Sequence, residues 1–311
     1  MPSFDTQHGP DSFAPDGALE HGLLEGGETP RSRLVPALLV AAIAASGLSM
    51  IFSIGAAVAT AGDASESGAA SEPVRDAERV YLPVELRNFA PHNLPDGHPD
   101  FERFAGGVRV GLVADTLGPD GVPILDSRHG EQIEREFTDA AGRPIRPALA
   151  DAARDDRPGE LEPRQDPRVF SPESFAGWFS GPVEPARIAL VRVDGEDRYV
   201  FDSDRDPGPL PDGSFTGVVR AELTAGPGLR LGLSSADDAW VYVDGRLAID
   251  LGSAHPRRMQ WIDLDRLGLT PGRSVPVDVF FAERRSDDQH FRIETNARLR
   301  PVGRTHAGGG N

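Results

Sequence analysis

The residues of this chain most able to do chemistry lie in its last third. They are the adjacent acids Asp237-Asp238, then Asp250, Ser253 and His255, then Glu283 with Asp287-Asp288, and the aromatics Trp240, Tyr242 and Trp261. A Ser, a His and an Asp are the parts of a nucleophile, its base and an orienter. Here, though, they follow one another along a single loop, and closeness in sequence does not create that geometry. No G-x-S-x-G, H-E-x-x-H or phosphate-cradling Gly-rich loop occurs. The sequence contains neither Cys nor Lys, so all 32 basic side chains are Arg. Thiolate chemistry, Cys metal sites, a P-loop Lys and Lys Schiff bases are thereby excluded. Two carboxylates for glycoside hydrolysis can always be picked from 49 acids, so such a pick carries no information. The sequence reads as that of a non-enzyme.

Asp237-Asp238 comes just before a strand-like run, where two acids form an Asx-type turn or offer oxygens to a hard cation. Glu283 and Asp287-Asp288 are the next oxygen donors in the chain; as alternatives, Glu283 pairs with Arg284 or Arg292 and Asp287-Asp288 forms a solvated hairpin tip. Trp240 and Tyr242 alternate with Val241 and Val243, so the two aromatics share one strand face, which reads as core. Trp261, beside Arg258 and Gln260, is either a ring for stacking on a ligand or a cover for the sheet edge. His255 is either a ligand contact or a loop hydrogen bond.

Strands must position these groups. Alternation at Phe215, Gly217, Val219, Ala221 and Leu223, and again at 229–233, 275–281 and 291–299, has the period of half-buried strands. Asp194-Gly195 and Asp244-Gly245 lie between such runs and supply hairpin turns. One soluble helix is expected at Ser171-Pro172-Glu173, with Ser171 as cap and Phe175, Trp178 and Phe179 on one face. Many strands, frequent turns and one helix make the expected fold mainly β, an antiparallel β-sandwich.

Residues 34–61 carry no charge and suffice to span a hydrocarbon core of about 30 Å as a transmembrane helix, although their small-residue end at 56–61 also suits a signal peptidase. Arg31 and Arg33 precede the run and Asp63 and Glu66 follow it, which places the N-terminus in the cytoplasm and the bulk of the chain outside. The expected plan is a cytoplasmic disordered tail at 1–33, the span at 34–61, a linker at 62–79, a folded domain at 80–300 and a flexible tail at 301–311. A Pro/Arg-rich insertion near 143–168 is expected to loop out of the domain. The formal charge of −17 repels phosphate backbones and anionic lipid surfaces, so nucleic acid is not an expected partner.

From Leu231 the chain reads LGLSSADDAWVYVDGRLAIDLGSAH, then LGLTPG, then DVFFAERR and FRIETN. This resembles the C-terminal signature of the fibro-slime domain family, and His98-Pro99-Asp100-Phe101-Glu102, Gly111-Leu112-Val113 and Leu117-Gly118 are similar to its N-terminal half. The family is similar in turn to the protective-antigen and flocculin type of β-sandwich. The resemblance implies a cell-surface binding module for glycan or extracellular matrix. In flocculin-like relatives an Asp pair at the place of Asp237-Asp238 binds Ca²⁺, which then holds two sugar hydroxyls; because Ca²⁺ needs more oxygens than two adjacent carboxylates give, Glu283 and Asp287 are the next candidate metal ligands in this chain, and His255 and Trp261 are the candidate ligand contacts. Flocculins carry Asn where this chain has Glu283, a departure from their pattern. The alternative function is a structural subunit of a pilus-like or matrix assembly. Against it, the acidic residue that pilins carry early in the apolar run is missing.

Overall fold

The structure is a computed structural model, and it describes residues 78–302 apart from 105, 127–129, 194 and 207. The expected tail, span and most of the linker, Asp194 of the first predicted turn and the end of the C-terminal tail lie outside the described residues. Among the described residues no helix is long and apolar enough to cross a membrane.

The strands are β1 (Arg79–Asn88), β2 (Arg109–Val110), β3 (Glu131–Arg135), β4 (Glu160–Pro163), β5 (Glu184–Arg192), β6 (Tyr199–Asp202), β7 (Phe215–Thr224), β8 (Arg230–Ser235), β9 (Asp238–Val243), β10 (Arg246–Leu251), β11 (Arg258–Asp263), β12 (Ser274–Glu283), β13 (Phe291–Thr295) and β14 (Arg300–Pro301); the helix α1 is Pro172–Ala176. Eleven of the strands form one antiparallel sheet in the order β10-β9-β12-β7-β1-β5-β6-β13-β8-β11, with β14 on β7. Strand β1 pairs β5 along Arg79–Leu86 and β7 along Val84–Asn88, and so joins the two halves of the sheet. The outermost strands β10 and β11 then approach each other, and the sheet is nearly closed.

The alternation read from the sequence explains the inner core. Leu82, Val84 and Leu86 of β1 meet Val219 and Leu223 of β7, Val277, Val279 and Phe281 of β12, and Phe291 and Ile293 of β13. Phe281 and Phe291 stack with ring centroids 3.9 Å apart.

The other face of β9 and β12 is not solvated. Trp240, Tyr242, Phe280 and Val218 are buried there under Phe101, Val113, Phe175, Trp178 and Phe179, as a second apolar layer. Both faces of β9 are therefore buried, and its run reads as a continuous hydrophobic strand. Trp240 and Tyr242 are core, as their alternation predicts. Helix α1 holds the cover in place: Ser171 caps it by accepting the Ser174 N–H at 3.1 Å, and Ser174 Oγ accepts the Ser171 N–H at 3.0 Å. The Asp244-Gly245 turn has positive φ at both residues (53° and 73°), as its hairpin requires.

Two expectations need correction. Residues 143–168 do not loop out. Arg143 pairs with Asp139 and Asp263, Asp156 forms a buried pair with Arg266, and β4 completes a small sheet with β2 and β3. Nor does the tail begin at 301, since Pro301 pairs with Ala221 in β14.

Candidate functional site

The ends of β8, β9, β10 and β12 converge on one rim of the sandwich. Across the β9–β12 ladder Asp238 lies opposite Ala282. Arg284 lies two residues further along the same face as Ala282, within diagonal reach of Asp238. Continued by one residue, the same register places Glu283 opposite Asp237.

The two adjacent acids behave differently. Asp238 is fully engaged: Oδ1 accepts the Ser253 N–H at 2.6 Å and Oδ2 accepts Arg284 Nε at 2.7 Å. Both side chains of that ion pair are buried. Burial pushes the Asp238 carboxyl up, and Arg284 opposes the shift. Arg284 Nη1 donates to the Arg168 carbonyl at 2.6 Å, Nη2 is buried without a hydrogen-bond partner, and the guanidinium lies 5.0 Å over the Trp178 ring. Asp237 spends Oδ2 on the backbone N–H groups of Arg284 and Arg285, each at 3.1 Å. Its Oδ1 is buried without a hydrogen-bond partner. Burial pushes its carboxyl up to about 8, against the pull of Arg284 and with a further push from Asp238.

Glu283 is buried and holds one carboxylate oxygen, Oε2, without a hydrogen-bond partner. Burial, with Asp237 next, keeps this carboxyl well above its usual range. The ion pairs weighed for it go elsewhere: Arg284 to Asp238, and Arg292 to Asp202 and Glu294. Asp287 is exposed and paired with Arg285, and Asp288 is paired with Arg257.

Above Asp237 opens a cavity of about 460 Å³ lined by Gly106, Ala236, Asp237, His255, Pro256, Arg285, Asp287 and Asp288. His255 is fixed in its wall, donating Nδ1–H to the Pro256 carbonyl at 2.8 Å, while its backbone N–H donates to Ala236 at 2.9 Å. Burial lowers its pKa to about 4, so the ring is neutral at pH 7. Trp261 is not among the lining residues. Its backbone N–H donates to Pro144 at 2.7 Å and Arg143 lies 5.7 Å over its ring, so the 143–145 segment covers the aromatic that the sequence left open. The structure thus brings Asp237, His255 and Asp287 to one cavity, seats Glu283 and Asp238 in the buried rim and leaves Trp261 out.

Ser253, His255 and Asp250 make their bonds in different directions. Asp250 accepts Gly111 N–H at 2.7 Å and Trp240 Nε1–H at 3.1 Å, and Ser253 Oγ faces the Ala254 carbonyl at 3.5 Å.

The implied calcium shell is short of donors. Ca²⁺ takes six to eight oxygens. Of the four candidate ligands, Asp238 has both oxygens on N–H groups, Asp287 is held by Arg285, and Asp237 and Glu283 each retain one partnerless oxygen. These residues do not fit the ion. Among the described residues, the side chains whose ligand atoms all lie within 4.8 Å of one another are Asp202, Asp204 and His290, at another place on the rim. Arg292 and Arg257 already pair with the two acids there.

Arg284 is the site residue whose role the sequence reading missed. The signal was strand parity: from Phe280 and Ala282 it falls on the Trp240 face, where a guanidinium needs a carboxylate.

No family model matches the chain. Among curated proteins it is similar to psiR of Dictyostelium discoideum, 28% identical over 214 residues that make up 66% of this chain and 20% of that protein. It is also similar to psiH of the same organism, at 28% over 66% of this chain and 29% of that protein. For psiC the identity is 38% over 85 residues, 27% of this chain and 16% of psiC. The matched part is thus under a third of the length of these relatives. Among solved structures, a β-glucosidase from Kluyveromyces marxianus in complex with glucose aligns at 12% identity and TM-score 0.22, covering 63% of this chain and 18% of the enzyme. An anti-sigma factor domain-containing protein aligns at 16% and TM-score 0.25, covering 70% of this chain and 73% of that one.

Proposed function

We propose that residues 80–300 are a fibro-slime-type binding module, displayed outside the cell by a span at 34–61, and that it takes a neutral polar ligand, glycan foremost, in the cavity above Asp237. The single observation that carries this reading is Asp237 Oδ1, a buried carboxyl oxygen without a hydrogen-bond partner at the wall of a cavity of about 460 Å³. With its pKa raised to about 8, that carboxyl mostly keeps its proton at pH 7, and it can both donate to and accept from a sugar hydroxyl. Arg285 and Asp288 at the rim add charged groups of both signs. The −17 charge disfavours nucleic acid. The fibro-slime assignment is supported by the long motif from Leu231 and by the similarity to the psi proteins.

A glycan-array screen of the full chain and of Asp237→Asn tests the proposal. Asn keeps the acceptor for the Arg284 and Arg285 N–H groups but replaces the partnerless oxygen with an NH₂. The expected result is that wild-type hits lose at least about tenfold in affinity, the loss of roughly one hydrogen bond of 1.4 kcal/mol. An unchanged hit pattern in the variant, or a wild type that binds no glycan, sinks the reading.

A further inference from the structure

We propose that Arg284 is the built-in cation of this site: its guanidinium stands where the Asp pair would otherwise need a metal, and the module works without calcium. The inference concerns the same rim as the proposed ligand cavity but holds whatever the cavity binds.

The geometry carries the argument. Asp238 and Arg284 are both buried, with side-chain exposures of 0% and 1%. A carboxylate so buried persists only with a compensating positive charge and filled lone pairs. Arg284 Nε at 2.7 Å supplies the charge and one bond, and Ser253 N–H at 2.6 Å fills the other oxygen. Arg284 cannot swing away to admit an ion. One arm of its fork is bonded to the Arg168 carbonyl at 2.6 Å, and its face lies 5.0 Å from the Trp178 ring. Its own backbone N–H is bonded to the neighbouring Asp237. A divalent ion shared by the two aspartates would sit a few ångströms from this fixed guanidinium, where two like charges repel strongly at low effective dielectric.

The same solution recurs at the Asp202, Asp204 and His290 group. There the carboxylates are again held by guanidinium groups, Arg292 on Asp202 and Arg257 on Asp204. At both places a planar guanidinium fork meets the carboxylate.

The test is thermal unfolding of the full chain with excess CaCl₂ and with chelator, for wild type, Arg284→Gln and Arg284→Lys. Wild type is expected to melt at the same temperature in both media. Arg284→Gln exposes the Asp238 charge to whatever cation is present, so it should melt lower in chelator and recover part of the loss in calcium. Arg284→Lys keeps the positive charge and should stay insensitive. A calcium-dependent rise of wild type by about 5–10 °C, the shift a saturating native-state ligand gives a domain of this size, overturns the proposal, and loss of that rise in Asp238→Asn would locate the ion. An Arg284→Gln chain that folds yet gains nothing from calcium also overturns it, because the guanidinium would then not occupy a cation position. Should Arg284→Gln fail to fold, the wild-type and Arg284→Lys arms decide. None of these readouts requires a glycan, so a failed array and a failed calcium test remain distinct.

Discussion

Replacing Asp100 by Asn should release the aromatic cover from the sheet. Asp100 is fully buried, and its Oδ2 accepts Trp178 Nε1–H at 2.8 Å while its Oδ1 accepts the backbone N–H of Phe170. It therefore ties the 98–104 turn to the segment that carries α1. Trp178 in turn packs on Phe175 and Trp240, with centroids 4.8 and 6.4 Å away, and carries the Arg284 guanidinium on its face. Asparagine has one acceptor oxygen for two donors, so one N–H would face the new NH₂. An orphaned buried donor costs about 1–3 kcal/mol, and the surviving bond loses roughly 1 kcal/mol of charge assistance. Relief of the buried charge offsets part of this, for a net loss of about 1–3 kcal/mol. Urea unfolding followed by Trp fluorescence reads it directly, because Trp178 and Trp240 are two of the three tryptophans. With an m-value of about 2–3 kcal/mol/M the midpoint should fall by roughly 1 M at unchanged m. A double-mutant cycle with Trp178→Phe should give a coupling of about 1–2 kcal/mol. A midpoint shift under about 0.3 M, or additive single losses, would refute the reasoning.

Two more outcomes are expected. Burial raises the Asp250 carboxyl from 3.8 to about 6, with Arg146 opposing, so between those values the folded chain holds a proton that the unfolded chain has lost. The stability this group contributes is complete below about pH 4 and is lost as pH rises through 6, by about 3 kcal/mol; the wild-type-minus-Asp250→Asn difference measured by urea unfolding should change by that amount over the window, and a flat difference would contradict it. For topology, a reporter fused after Asn311 should be active only outside the cytoplasm, because Arg31 and Arg33 precede the apolar run and Asp63 and Glu66 follow it. Cytoplasmic activity would reverse the orientation.

What the sequence made legible was what local period controls. The strands at 215–224 and 274–283, the Asp244-Gly245 hairpin and the Ser171 cap each follow from residues within one or two turns of chain. The 143–168 segment was misread because its order comes from partners far away in sequence. Arg143 reaches Asp263, Arg266 reaches Asp156 and Arg146 reaches the Leu247 carbonyl at 2.7 Å, and no periodicity reveals a bond across about a hundred residues. Composition dense in Pro, Arg and Asp looks the same whether the arginines face water or carboxylates. The covering of Trp261 was hidden for the same reason, since it depends on where that segment lies.

The Asp pair shows how strand geometry constrains chemistry that residue type alone leaves open. Successive side chains on a strand point to opposite faces, and β9 begins at Asp238. Asp238 shares its parity with Trp240 and Tyr242, so it enters the aromatic layer, where Arg284 arrives by the same parity from Phe280 and Ala282. Asp237 falls on the other side, with Glu283 opposite in the extended register, and it lies in the wall of the cavity. Two carboxylates that diverge in this way have separate surroundings although they are adjacent in sequence: Asp238 is held in the rim by Arg284 and the Ser253 N–H, and Asp237 keeps one buried oxygen without a hydrogen-bond partner in the cavity wall.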